Sequence, residues 1–419
     1  MPQSTIYLLV FLIPAIGLLS GFSIALTLPI LFLVILFILW DNITIHLKYE
    51  TVKNNLLANW KLELLFALWC LIANFYSPNY PDSVINYLQI FIVAIMGFVI
   101  NNNIDKLPID LTKTKLYFLI GIATAIILFF IEYFSHGIIT KTFRTSFQPK
   151  SSVHFFLFLL DRGCSLLSVL SWVVIIIFIQ YRKYLLASVY YILIFYLLYI
   201  SDSLASFLAF AVGGLVFLIS RISVNKLLHS IVLKSFIVAI IAGSVLMPII
   251  SYKLQPYDVS DQYSKYLPDS AKHRIFIWHF VAEKIIEKPT FGYGFTSSRN
   301  FKINENDIVE YNQWTWSPFP LHPHNNILQI LFEIGIIGFI LFLSLIYKYI
   351  QQINNITFTT PKDQYTNSNA DILNYKSVSY ACFINYYIIG MISFNIWQIW
   401  WVCTAFGVVT LFKLFTRRS

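Results

Sequence analysis

Charge is scarce in this chain: only 12% of its 419 residues are Asp, Glu, Lys or Arg, while 58% are hydrophobic and the mean hydropathy is +0.70. A soluble protein must cover its core with polar side chains, and there are too few here to do so. Cysteine is also rare. Cys70, Cys164, Cys382 and Cys403 stand singly in apolar stretches, with no CxxC pair and no histidine at ligand spacing, which excludes a disulfide framework and a cysteine metal site. They read as small buried hydrophobes. The first apolar span lacks a basic n-region before it and a clear small-residue cleavage site after it, so it reads as a retained helix. Internal repeats and low-complexity linkers are missing too, and no segment is long and polar enough to stand as a soluble domain. The net charge of +9 does not indicate nucleic acid, because the basic residues fall in short loops between apolar spans, where they report membrane orientation.

What is present is a succession of apolar runs of membrane-crossing length. They predict an all-α polytopic membrane protein in a phospholipid bilayer, with about twelve transmembrane helices at roughly 5–22, 24–40, 62–77, 84–101, 115–134, 156–180, 184–200, 204–220, 231–251, 325–349, 378–396 and 398–415. Residues 1–251 then hold nine helices, 252–324 a large outward loop, and 325–419 three more helices. Lys48, Lys53, Lys61, Lys106, Lys113, Lys115, Arg182, Lys183, Arg221, Lys226, Lys234, Lys413, Arg417 and Arg418 all fall on one side, so both termini are expected in the cytoplasm. Two outward loops also carry basic residues: 135–154, with Lys141, Arg144 and Lys150, and 251–321. Such residues either bind an anionic group such as a lipid phosphate or reflect the indifference of long loops to charge. The segment Gln351 to Ser377 reads as polar cytoplasmic chain.

The one long polar excursion runs from Leu254 to Phe339. Ser270 to Ile286 is expected to be a helix lying along the interface, with Ile275, Trp278, Ala282 and Ile285 at near-helical spacing and Pro289 ending it. Gly292-Tyr-Gly294 is expected to turn so that backbone approaches a ligand, and Trp314 and Trp316 suit a membrane–water boundary. Arg274 shares a helix face with Trp278; its planar fork suits a phosphate, unless it is only a snorkelling interface arginine. His324 stands where the loop re-enters the membrane, as a proton acceptor for a hydroxyl or as a solvated or capping residue. Asn325 or Asn326 is expected to cap the following helix. His322 is near, with Pro323 expected to separate the two directions. Glu333, roughly two and a half turns below His324, is an intramembrane carboxylate and hence a functional candidate, while Gly335 and Gly338 read as close-packing positions. Asp161-Arg162 is placed about a third of the way down its span, either neutralising itself or forming a positive wall. Ser201-Asp-Ser203 ends a span on the same outer side.

These residues resemble the O-antigen ligase family of membrane glycosyltransferases, which also includes O-antigen polymerases. The resemblance is carried by His273-Arg-Ile-Phe-Ile-Trp278 with Pro289-Thr-Phe-Gly-Tyr-Gly294, and by His324-Asn325 followed after nine residues by Gly335-Ile-Ile-Gly338. Asp161-Arg-Gly163 and Ser203-Leu-Ala205 add to it, although many members have arginine where this chain has Leu204. The family implies a GT-C-like architecture whose large loop is periplasmic, in the bacterial inner membrane. It also implies transfer of glycan from undecaprenyl diphosphate to a sugar hydroxyl of lipid A-core, with inversion and with neither metal nor cofactor. In that reading Arg274 and Arg162, helped by Arg299 or Lys272, hold the diphosphate, with Arg162 replacing the arginine missing at 204. His324 acts on the acceptor, and Asp161, Ser203, Asn325, Glu333, Gly335 and Gly338 support the site. Polymerisation of carrier-linked repeats and attachment of glycan to protein stay open. So does lipid-linked glycan transport, although paired halves and charges spread through the membrane depth are missing.

Overall fold

A computed structural model of the chain describes residues 2–46, 60–147, 155–222, 226–254, 267–311, 314–319, 321–355 and 369–416. Lys48, Lys53, Lys150, Lys265, Arg417 and Arg418 lie outside the described residues. Among the described residues the architecture is all-α apart from one hairpin. The helices in chain order are α1 (Pro2–Gly17), α2 (Ser23–His46), α3 (Lys61–Asn74), α4 (Asp82–Asn103), α5 (Leu111–Phe134), α6 (Ile138–Phe147), α7 (Asp161–Gln180), α8 (Tyr184–Ile200), α9 (Leu204–Ile222), α10 (Lys226–Lys253), α11 (Asp269–Glu287), α12 (Asn326–Asn354), α13 (Asn369–Ile392) and α14 (Ile399–Thr416). Strands β1 (Val309–Tyr311) and β2 (Trp314–Trp316) pair antiparallel, Val309 opposite Trp316.

A helix lies over each apolar stretch drawn from the sequence. This follows from the solvent: in hydrocarbon, a segment that bonds its own peptide groups avoids several kcal/mol per unsatisfied group. Among the described residues, seven helices are long and apolar enough to cross a membrane, and three more are apolar but shorter. Large apolar side chains face outward, Leu185 at 77% exposure, Phe75 at 76% and Phe37 at 74%, as lipid contact allows and water does not.

Helix α7 is the axis of the first core. Sixteen of its residues are buried, packed by α1, α8, α9, α13 and α14. A second core joins α3 and α11 to the first half of α12 and to loop residues Phe295 and Phe319. The loop helix comes out as expected, one residue longer at each end, and it packs on α10 and α12.

Two expectations are corrected. Residues 135–154 are not merely a loop: α6 forms there because the buried Glu132 carboxylate accepts the N–H of Ile139 at 2.7 Å and that of Thr140 at 3.2 Å, satisfying its first donors. Residues 351–354 and 369–377 belong to α12 and α13 rather than to polar chain. Trp316 is 9% exposed, with its ring 5.2 Å from that of His273.

Candidate active site

The site is built around a break in α12. Asn325 caps that helix, its side-chain oxygen accepting from the N–H of Ile327 and of Leu328 at 3.0 Å each. Ten residues on, Gly335 adopts φ +66° and ψ −170°, a conformation essentially confined to glycine, and the helical ladder is interrupted. Four groups at the break are bonded from outside the helix. The carbonyls of Phe332 and Glu333 accept from the N–H of Tyr293 and of Gly294 at 2.8 Å, and the N–H of Ile336 donates to the carbonyl of Pro289 at 2.8 Å. The carbonyl of Ile334 accepts from the Trp69 indole at 2.9 Å.

This assigns the Pro289–Gly294 motif a different job from the one expected. Its backbone approaches α12, not a ligand. A Cβ at Gly292 would stand 2.6 Å from the Phe332 carbonyl oxygen and one at Gly294 2.4 Å from the Ser77 Cα. Gly335 serves the same docking, since a Cβ there would stand 2.2 Å from the Thr290 carbonyl oxygen. Close helix packing explains it less well than this break. Gly338 only makes room for Ile334 of its own helix.

Glu333 fastens the next turn. Its carboxylate is fully buried and accepts from the N–H of Thr296 at 3.1 Å, the Ser298 hydroxyl at 2.5 Å, the Gln329 amide at 3.1 Å and the Trp397 indole at 2.5 Å. Gln329 continues the network, donating to Asn395 at 2.9 Å and accepting from the N–H of Ile396 at 3.2 Å. Thr296, Ser298, Gln329, Asn395 and Trp397 were not picked out from the sequence. Only Glu333 signalled them, because a buried carboxylate requires donors.

The two histidines point together, against the expectation that Pro323 would part them. Their ring centroids are 4.2 Å apart, and His324 Nδ1 and His322 Nε2 lie 2.9 Å and 3.3 Å from one oxygen, the Ser393 carbonyl. A carbonyl only accepts, so both nitrogens carry hydrogen, leaving lone pairs on His324 Nε2 and His322 Nδ1 in the neutral rings. The Trp278 indole fixes the bend, donating to the Pro323 carbonyl at 3.0 Å. Burial pushes the His324 pKa down to about 3, helped by the charge of His322. Burial likewise takes His322 down to about 4, with Arg299, Arg162 and Arg274 adding to the fall. Both rings are therefore neutral at physiological pH.

Three arginines from distant parts of the chain thus reach one histidine. Arg274 on α11 is half-buried, its Nε enclosed without a partner and one terminal nitrogen donating to the Ser270 carbonyl at 3.3 Å. Burial lowers its pKa and the charge of Asp161 opposes this. Arg162 on α7 is exposed, its guanidinium 5.0 Å from the Phe22 ring centroid, and Arg299 is exposed on the short turn Ser297–Asn300. The charges of Arg274 and Arg162 both act on Asp161. Its carboxylate accepts from the Ser203 hydroxyl, Ser203 bonds Ser206 at 2.8 Å, and Ser206 bonds Ser165 at 2.7 Å. Asp161 opens α7 directly after the turn Leu157–Leu160, so the pair sits nearer the end of the span than a third of the way down. Lys272 pairs with Asp269 at 3.3 Å.

Strain gathers here as well. Of the five described non-glycine residues with positive φ, three belong to this site: Asp202 (+60°), Thr296 (+54°) and His324 (+53°). Each such residue costs on the order of 1–3 kcal/mol and persists where its surroundings enforce it. Together the groups supply cationic charge near a neutral imidazole, chemistry suited to a phosphate-bearing ligand and a proton-donating partner.

A sequence model of the family described as O-antigen ligase matches residues 189–343, from α8 to the middle of α12. A Rickettsia felis protein is 44% identical over 99% of this chain and 98% of its own length, and relatives from Rickettsia bellii and Rickettsia typhi are 42% identical over 98% and 99% of the chain and 98% of theirs. Each is named, provisionally, a polysaccharide ligase. The aligned length covers 99% of the chain, well beyond the residues of the family match. The chain belongs to the O-antigen ligase family.

Proposed function

We propose that this chain is an O-antigen ligase, an inverting, metal-independent membrane glycosyltransferase that moves glycan from undecaprenyl diphosphate to a sugar hydroxyl of lipid A-core. The observation that carries the reading is the half-buried Arg274, its Nε enclosed without a partner, on the helix whose Trp278 bonds the Pro323 carbonyl between His322 and His324. Arg162, Arg274 and Arg299 hold the diphosphate, and Arg162 and Arg274 stabilise the charge that grows on it as the glycosidic bond breaks. Arg162 fills the place that Leu204 leaves without a cation, while Lys272, tied to Asp269, lends its charge from further off. The acceptor oxygen attacks the anomeric carbon from the face opposite the diphosphate. Its proton passes to His324 Nε2, and undecaprenyl diphosphate leaves with the bonding electrons. Asp161 with Ser203, Asn325, Glu333 and Gly335 hold these groups in place, and Gly338 lets Ile334 of the same helix pack. In this reading twelve helices cross the bacterial inner membrane in a GT-C-like arrangement. Both termini are cytoplasmic, residues 252–324 are periplasmic, and 1–251 and 325–419 are the two transmembrane parts.

Alanine at His324 is expected to reduce ligation about 10²–10⁴-fold, the usual worth of a positioned acid or base. Ligation measured with purified donor and acceptor tests this, and a variant working at the normal rate would remove His324 from the chemistry. The pH profile gives an independent check. Neutral His324 is the active form and its pKa in the free protein is about 3. The histidine acid limb of kcat/KM is therefore expected below pH 5, with no inflection at 6.5. A bound diphosphate brings negative charge and raises the imidazole pKa, so the limb in kcat is expected at higher pH than that in kcat/KM. The reverse order contradicts the assignment.

A further inference from the structure

The polar network beneath the site has a function beyond stability. We propose that Glu333 is a positioning residue for donor recognition, acting through Arg299. This rests on the reading of Arg299 as a diphosphate contact.

The structural path is short. Glu333 Oε2 takes the Thr296 N–H and Glu333 Oε1 the Ser298 hydroxyl, gripping the residues just before Arg299. Thr296 is left-handed at φ +54°, costly for a β-branched residue, and the carboxylate is its restraint. The turn continues through the Ser297 N–H to the Gly294 carbonyl at 3.1 Å and the Arg299 N–H to the Thr296 carbonyl at 3.3 Å. Thr296, Ser297 and Ser298 are buried while Arg299 is exposed, and its charge reaches His322. Glu333 is walled in on its own account by Trp397 and Gln329, so it touches no substrate. Its consequence for the reaction is the direction in which Arg299 points.

Gln in place of Glu333 puts an amide where one carboxylate oxygen had two donors, whichever way the amide turns. The measurement is the steady-state kinetics of purified Glu333→Gln, Arg299→Ala and the double variant with carrier-linked donor, beside their thermal midpoints. Each single variant is expected to raise the donor KM about tenfold with kcat changed less than about threefold, the mark of lost ground-state binding. The double variant is expected to be no worse than the worse single one, as coupled residues behave. Ser298→Ala, which removes a single donor and leaves the carboxylate, is expected to raise donor KM severalfold and serves if Glu333→Gln does not accumulate. If Arg299→Ala leaves donor KM unchanged, the diphosphate role of Arg299 falls and this inference with it. If Arg299→Ala raises KM while Glu333→Gln and Ser298→Ala do not, or if the effects multiply, only the positioning role falls.

Discussion

Alanine at Arg274 abolishes mature lipopolysaccharide while the protein still accumulates in the membrane: this is the largest catalytic effect expected. One preorganised donor aimed at developing charge is worth about 10²–10³ in rate. Arg274 should exceed that, because its guanidinium is half-buried with Nε already stripped of water and unpartnered. A group held that way has paid its desolvation in the resting state and recovers it only against an anion. Loss of more than about 10³-fold in kcat/KM is therefore expected for Arg274→Ala. Arg274→Lys should recover only part, since an ammonium supplies charge without the fork. Cells carrying the alanine variant should strand polymer on the carrier, which a failed polymerase would not do. Normal lipopolysaccharide from Arg274→Ala would end the assignment of the site.

The largest structural effect is expected at Gly335. A Cβ there meets backbone on a docked loop, 2.2 Å from the Thr290 oxygen and 2.5 Å from its carbon, and φ +66° with ψ −170° is closed to other residues. Relief requires the loop to retreat, which strips the carbonyls of Phe332 and Glu333 and the N–H of Ile336 of their partners together. A loss of at least about 3–5 kcal/mol is expected, read as absent protein or a steep fall in the thermal midpoint in detergent. Gly338→Ala is the control. It meets only the Ile334 side chain, which can rotate, and should cost about 1 kcal/mol. Equal effects at the two glycines would show that the break is not what Gly335 provides.

Much of the fold was legible because lipid simplifies the code: apolar runs of sufficient length have few alternatives to helix. The ends of elements were less legible, since α13 begins in polar sequence and α6 depends on Glu132, a carboxylate whose partners lie in the next segment. Arg274, His324 and Asn325 could be found because charge, imidazole and a capping amide stand out in apolar surroundings. His322 was set aside on a local argument about Pro323. Its pairing with His324 is decided by the Ser393 carbonyl, 71 residues away in the chain, and no local pattern carries that. Gln329, Asn395 and Trp397 look ordinary in sequence and become special only through the carboxylate they share. The roles of Gly292 and Gly294 were misjudged for a related reason: glycine announces close approach, but not of what.

The interrupted α12 also bears on how the chain is made. At insertion, residues 326–354 form a span with a gap in its own bonding, and lipid offers nothing to fill it. The donors that close the gap come from Tyr293, Gly294 and Trp69, and the acceptor for Ile336 from Pro289. This span therefore matures only when a segment that precedes it, and a tryptophan far earlier on α3, have arrived beside it. In the proposed reading the candidate site and the completed span form together in assembly, and a chain halted before the loop docks has neither.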